Sequence, residues 1–136
     1  MHNLADAEAA VRKRRVAWRD RVDLAVAVLQ RATGRLLGEA GLGPDWDTLT
    51  FELGFWLRPS AVGHGYMTEA NTLMRDWAFR GLAARRVVMS CDSQNVRSVA
   101  VARRIGLNQV KAERLESKTL LTFELTAKDY RAHATA

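Results

Sequence analysis

Residues 50–82 read as strand, loop and helix in direct succession, and this stretch constrains the fold more than any other. Thr50–Leu57 alternates as a strand does, and Arg58-Pro59 ends it because proline cannot donate to a sheet ladder. The loop Ser60-Ala61-Val62-Gly63-His64-Gly65 leads straight into a helix over 66–82. There Met67, Ala70, Met74, Trp77 and Ala78 form one apolar stripe, and Gly81 closes the end. A helix start presents unpaired N–H groups and a partial positive charge. Glycines at 63 and 65 let a phosphate approach that backbone closely; the alternative is a plain tight turn needing positive φ.

The flanking sequence surrounds this unit with more sheet. Residues 3 to about 20 predict a helix capped by Asn3 or Asp6, with Leu4, Ala7, Val11 and Trp18 at helical spacing. Alternating segments at Leu24–Leu29 and Arg35–Leu42 flank the turn Ala32-Thr33-Gly34 and predict a hairpin; Gly43-Pro44-Asp45-Trp46-Asp47 breaks the pattern. Val87–Cys91 is continuously apolar, as in a strand buried on both faces. A turn at 92–95 precedes a short helix over about 96–104, stopped by Gly106. Strands follow over about 107–114 and 119–126, and the last ten residues read as a frayed tail. Antiparallel strands followed by strand–helix alternation make a mixed α/β sheet. The 136 residues predict one domain, with no internal repeat or linker.

Composition removes several classes. No run approaches the ~18 apolar residues of a membrane span, and the N-terminus lacks a signal-peptide pattern. One cysteine, Cys91, excludes an internal disulfide and a cysteine-rich zinc site, and three histidines show no ligand spacing, so no metal is expected. A cytoplasmic setting fits. The net charge of +6 and pI near 10.2 favour anionic partners such as nucleic acid or phosphorylated cofactors. The run Arg12-Lys13-Arg14-Arg15 reads as a solvated helix face, with nucleic-acid contact the alternative.

Two blocks carry a resemblance. Glu52-Leu53-Gly54-Phe55-Trp56-Leu57-Arg58-Pro59 with Gly63-His64-Gly65-Tyr66-Met67-Thr68-Glu69-Ala70 resembles the acyl-CoA-binding core of the GNAT superfamily of N-acyltransferases. Asn95-Val96-Arg97-Ser98 through Ile105-Gly106-Leu107 looks like that family's Asn-x-x-Ser helix. The match is similar to the RimJ/RimL-like branch, which acetylates protein N-termini, and covers about residues 5–126. It implies a GNAT-like mixed, mainly antiparallel sheet flanked by helices, and acetyl-CoA as co-substrate. It also implies cofactor contacts from Leu57, Val62, Gly63, His64, Gly65, Tyr66, Met67, Thr68, Asn95 and Arg103. The pantetheine arm would lie between strands 50–57 and 87–91.

The chain departs from the family at three points. Val62 and Met67 replace a polar and a small residue of the usual diphosphate loop. Ala102 stands where many members carry a tyrosine acid, so the resemblance shifts that role to Ser98. The family's first strand and helix are absent, a start about 40 residues late against members of roughly 170. Uncovered apolar sheet surface of that kind predicts a homodimer.

Acyl transfer to an amine needs a base, since a protonated amine has no lone pair. Glu52 is the candidate base, its alternative being a solvated or cross-strand paired carboxylate; Glu113, Glu116 and Glu124 are rivals. The alternative for Ser98 is a helix-surface hydroxyl, and for Asn95 a helix cap. Cys91 reads as an inert core thiol, and Trp56 and Trp77 as packing residues. The expected acceptor is a protein N-terminal α-amine, attacked directly in a ternary complex. The alternatives are a small amine (an aminoglycoside or polyamine) or a non-catalytic CoA- or nucleic-acid-binding module. The basic charge also allows a ribosome- or tRNA-associated acceptor.

Overall fold

A computed structural model describes residues 4–134, with side chains from 8 to 133. The elements run α1 (Leu4–Arg19), β1 (Leu24–Leu29), β2 (Leu36–Asp45), β3 (Thr50–Leu57), a 3-10 turn (Pro59–Ala61), α2 (Tyr66–Gly81), β4 (Arg86–Asp92), α3 (Val96–Arg104), β5 (Asn108–Arg114), β6 (Thr119–Thr126) and α4 (Ala127–Ala134). The six strands form one sheet in the order β1-β2-β3-β4-β6-β5. Every neighbouring pair is antiparallel except β3–β4. This is the mixed, mainly antiparallel GNAT-like sheet that the sequence predicts. Asn3 and the side chains of Leu4, Asp6 and Ala7 lie outside the described residues. No helix among the described residues is long and apolar enough to cross a membrane.

One face of the sheet holds the core. Leu42, Phe51, Leu53, Val87, Met89 and Phe123 meet Met67, Met74 and Ala78 of α2 and Val101, Ala102 and Ile105 of α3. The opposite face carries Glu52, Gly54, Trp56 and Ser90, all exposed. Helix α1 sits at the β1 edge. Its Arg14 reaches Asp23 at 3.2 Å and Glu39 at 2.8 Å, and Trp18 stacks on Trp77 of α2.

Four expectations need correction. Strand β2 runs on through Gly43 and Pro44 to Asp45, with Pro44 opposite Phe51. Proline is tolerated there because β1 ends its pairing at Leu24 opposite Leu42, so β2 is already an edge at Pro44. The Asp45 carboxylate then closes the turn, accepting from the N–H groups of Asp47 (3.1 Å) and Thr48 (3.3 Å). Second, β4 is not buried on both faces. Val87, Met89 and Cys91 are buried, but Ser90 is exposed, because the covering helices share one core on one side. Third, the C-terminal stretch forms α4. Tyr130 anchors it, stacking on Phe79 with centroids 4.4 Å apart and donating to Asp76 Oδ1 at 2.8 Å. Fourth, Trp56 is no packing residue: half its surface is exposed.

Candidate active site

Strands β3 and β4 pair over three positions only, Thr50–Arg86, Phe51–Val87 and Glu52–Val88. Beyond Glu52 they part. Leu53–Leu57 stay bonded to β2 on one side and have no strand partner on the other among the described residues. Backbone N–H and C=O groups seek partners, so this free edge suits an extended ligand rich in amides.

At the far end of β3 the 3-10 turn leads to the glycine loop. Gly63 and Gly65 have φ of +87° and +76°, the left-handed region. A Cβ at either position would meet nothing within 4 Å, so glycine is required here by the backbone angle. Gly65 is the N-cap of α2 and no side chain among the described residues caps that end. The N–H groups of Tyr66, Met67 and Thr68 are thus available to an anion, aided by the helix dipole.

A cleft of about 610 Å³ joins these features. Leu57, Val62, Gly63, Gly65, Tyr66, Met67, Thr68, Asn95 and Ser98 line it. His64 and Arg103 are both exposed, and neither is in the wall. Arg97 and Arg104 are. Helical spacing could have found them, since 97, 101 and 104 share one face of α3 while 103 does not. Asn95 Oδ1 accepts from the Ser98 N–H at 3.2 Å, so the capping reading holds for that oxygen, and the side-chain NH2 is left for another partner.

Glu52 lies in a second groove, of about 360 Å³, on the open sheet face. Phe55 and Trp56 belong to the walls of both cavities. Asp23 and Glu39 in this groove are paired with Arg14, whereas Glu52 is in no ion pair among the described residues. Of the rival carboxylates, Glu124 holds Arg86 at 2.8 Å, Glu113 stands 3.7 Å from Lys111, and Glu116 is exposed in the β5–β6 turn. None of the three lines either cavity. Burial pushes the Cys91 thiol above its ordinary range, and Asp92 adds to the shift, so it is a poor nucleophile. No group of three histidine, cysteine or carboxylate side chains among the described residues could hold a metal ion.

Comparison with known proteins adds an independent line. The family described as the acetyltransferase (GNAT) domain matches residues 1–108. Two Bacillus subtilis (strain 168) proteins are similar. YnaD, an uncharacterized N-acetyltransferase, is 27% identical over 60 residues, covering 44% of this chain and 35% of its own. The uncharacterized YkkB is 28% identical over 96 residues, covering 69% of this chain and 56% of its own. The chain thus spans between about a third and just over half of these relatives' length. A Vibrio cholerae structure assigned as a ribosomal-protein-serine acetyltransferase superposes with a TM-score of 0.78 at 26% identity, covering 92% of this chain and 76% of the other.

Proposed function

This chain belongs to the GNAT acetyltransferase family, and from that premise we propose that it transfers acetyl from acetyl-CoA to a primary amine, first of all a protein N-terminal α-amine. The observation that carries the reading is the split between β3 and β4, which opens into the cleft that also holds the uncapped N-terminus of α2. In this reading the N–H groups of Tyr66–Thr68 hold the diphosphate. Arg97 and Arg104 supply charge toward phosphate oxygens, and the free edge of β3 takes the pantetheine amides.

Acetyl-CoA supplies an activated acyl group as a thioester. The chain's part is to place the amine and move two protons. Glu52, at the end of the β3–β4 pairing, takes a proton from the attacking nitrogen, directly or through water. As the N–C bond forms and the C–S bond breaks, Ser98 gives its proton to the departing thiolate. Backbone N–H groups along β3 stabilise the oxyanion. The similarity to a structure assigned as a ribosomal-protein-serine acetyltransferase supports a protein acceptor. A small amine is the second reading, favoured by the carboxylate-lined groove that holds Glu52.

The test is release of free CoA thiol from acetyl-CoA, with and without an amine panel of N-terminal peptides, polyamines and aminoglycosides. Amine-dependent release, with acetyl on the peptide α-nitrogen by mass spectrometry, supports the reading. CoA binding without turnover on any amine overturns it.

A further inference from the structure

We propose that Trp56 determines acceptor specificity, selecting amines that carry a second positive charge. The inference rests on the acetyltransferase reading and goes beyond it by naming the substrate class. Strand alternation puts Trp56 on the open face with Glu52 and Gly54, where half of the indole meets solvent. An aromatic face so placed attracts cations. Trp56 also forms part of both cavities, so a molecule in the groove meets the indole next to the cofactor cleft.

The β2–β3 register supplies the rest of the groove. Glu39 is directly opposite Trp56, Gly41 opposite Gly54, and Gly43 opposite Glu52. The glycine pair leaves a floor free of side chains between the Glu39–Trp56 pair and Glu52. Glu52 and Trp56 are four residues apart, about 13 Å along the strand. An acceptor whose reacting nitrogen is near Glu52 can lie over that floor with its second charge between the indole and Glu39. Arg14 neutralises only part of this wall, being one cation against Asp23, Glu39 and Glu52. A basic side chain near a peptide N-terminus and the far nitrogen of a polyamine share this chemistry.

The experiment compares kcat and KM for four acceptors: spermidine, butylamine, an N-terminal peptide with a lysine near its start, and the same peptide with norleucine there. The wild-type protein, Trp56→Ala, Trp56→Phe and Glu39→Gln are assayed. Wild type should favour the lysine peptide or spermidine over its singly charged counterpart. Trp56→Ala should raise KM for that multiply charged amine roughly tenfold, with less effect on kcat, and Trp56→Phe should restore part of it. Glu39→Gln should narrow the same preference. Which of the two multiply charged amines wins tells a protein from a polyamine acceptor. Calorimetry with spermidine and the lysine peptide on the CoA-loaded protein gives a readout independent of turnover. Trp56-dependent binding without turnover keeps this inference and rejects the acetyltransferase reading. No preference for the multiply charged amines in kinetics or binding, or a preference that survives both Trp56→Ala and Glu39→Gln, overturns the inference.

Discussion

Glu52 and Val88 are the last residues to face each other across β3 and β4. The carboxylate at that point, on the face away from α2, is exposed and free of any ion pair among the described residues. If it is the base, Glu52→Gln keeps CoA affinity and lowers kcat by ~10²–10⁴ near pH 6.5. The loss shrinks as pH rises through about 7.7–8.0, where an α-amine becomes neutral by itself. Full activity of the variant at pH 6.5 would move the role to Glu113, Glu116 or Glu124, or to ordered water.

Ser98→Ala should behave differently. Its proton serves the leaving thiolate, so the rate loss should persist across the pH range where thiolate departure limits turnover. A pH–rate profile parallel to and below that of the parent is the expected result. A loss that vanishes at high pH would assign Ser98 to the amine side or to structure.

Gly65 tests the anion site. With φ at +76°, Gly65→Ala should cost about 1–2 kcal/mol of folding stability, from backbone strain alone. Gly65→Glu carries the same strain and adds a negative charge where the diphosphate is proposed to sit. Calorimetry should show CoA affinity at least roughly tenfold weaker in the glutamate variant than in the alanine variant. Equal affinities would remove the diphosphate from this helix end.

Tyr130 should tie the C-terminal helix to α2 in a pH-dependent way. Burial raises its hydroxyl pKa above the ordinary value. The hydrogen bond to Asp76 and that residue's charge add to the shift, and Arg80 partly opposes it. The folded protein therefore holds this proton more tightly than the unfolded chain. The resulting stability is complete below about pH 10 and is lost as pH rises through the folded value. Tyr130→Phe should be less stable at pH 8 by about 1–2 kcal/mol. It should also lack this alkaline component in urea unfolding at pH 8 and pH 11. Identical alkaline losses in both proteins would refute the assignment.

Asn71 is fully buried in α2, with Nδ2 bonded to the Met67 carbonyl at 2.8 Å and Oδ1 without a hydrogen-bond partner among the described residues. An unpaired buried acceptor costs about 1–3 kcal/mol. Asn71→Leu, which keeps the branched shape but adds bulk, should raise the urea midpoint where the relief of the unpaired acceptor exceeds the overpacking. A lower midpoint would mean that overpacking wins or that the amide is satisfied by a bound water.

Much of the fold could be read from local chemistry. The Thr50–Leu57 strand, the Gly63–Gly65 loop and the α2 stripe are each specified by residues adjacent in sequence, and so is the Asn95 cap of α3. The extension of β2 through Pro44 was hidden, because proline's tolerance there depends on where β1 stops. Helix α4 was hidden as well, since its order comes from Tyr130 meeting Phe79 and Asp76 more than 50 residues away in the chain.

The sequence alone determined which backbone turns require glycine and which residues alternate inward, because dihedral preference and side-chain period are local properties. Tertiary structure decided where the strands separate and what shares a cavity. Only folding could show that β3 parts from β4 after Glu52, that Arg97 and Arg104 rather than Arg103 line the cleft, and that Trp56 borders two cavities. Those relations depend on the register and divergence of strands distant in sequence, and packing across the whole sheet sets them.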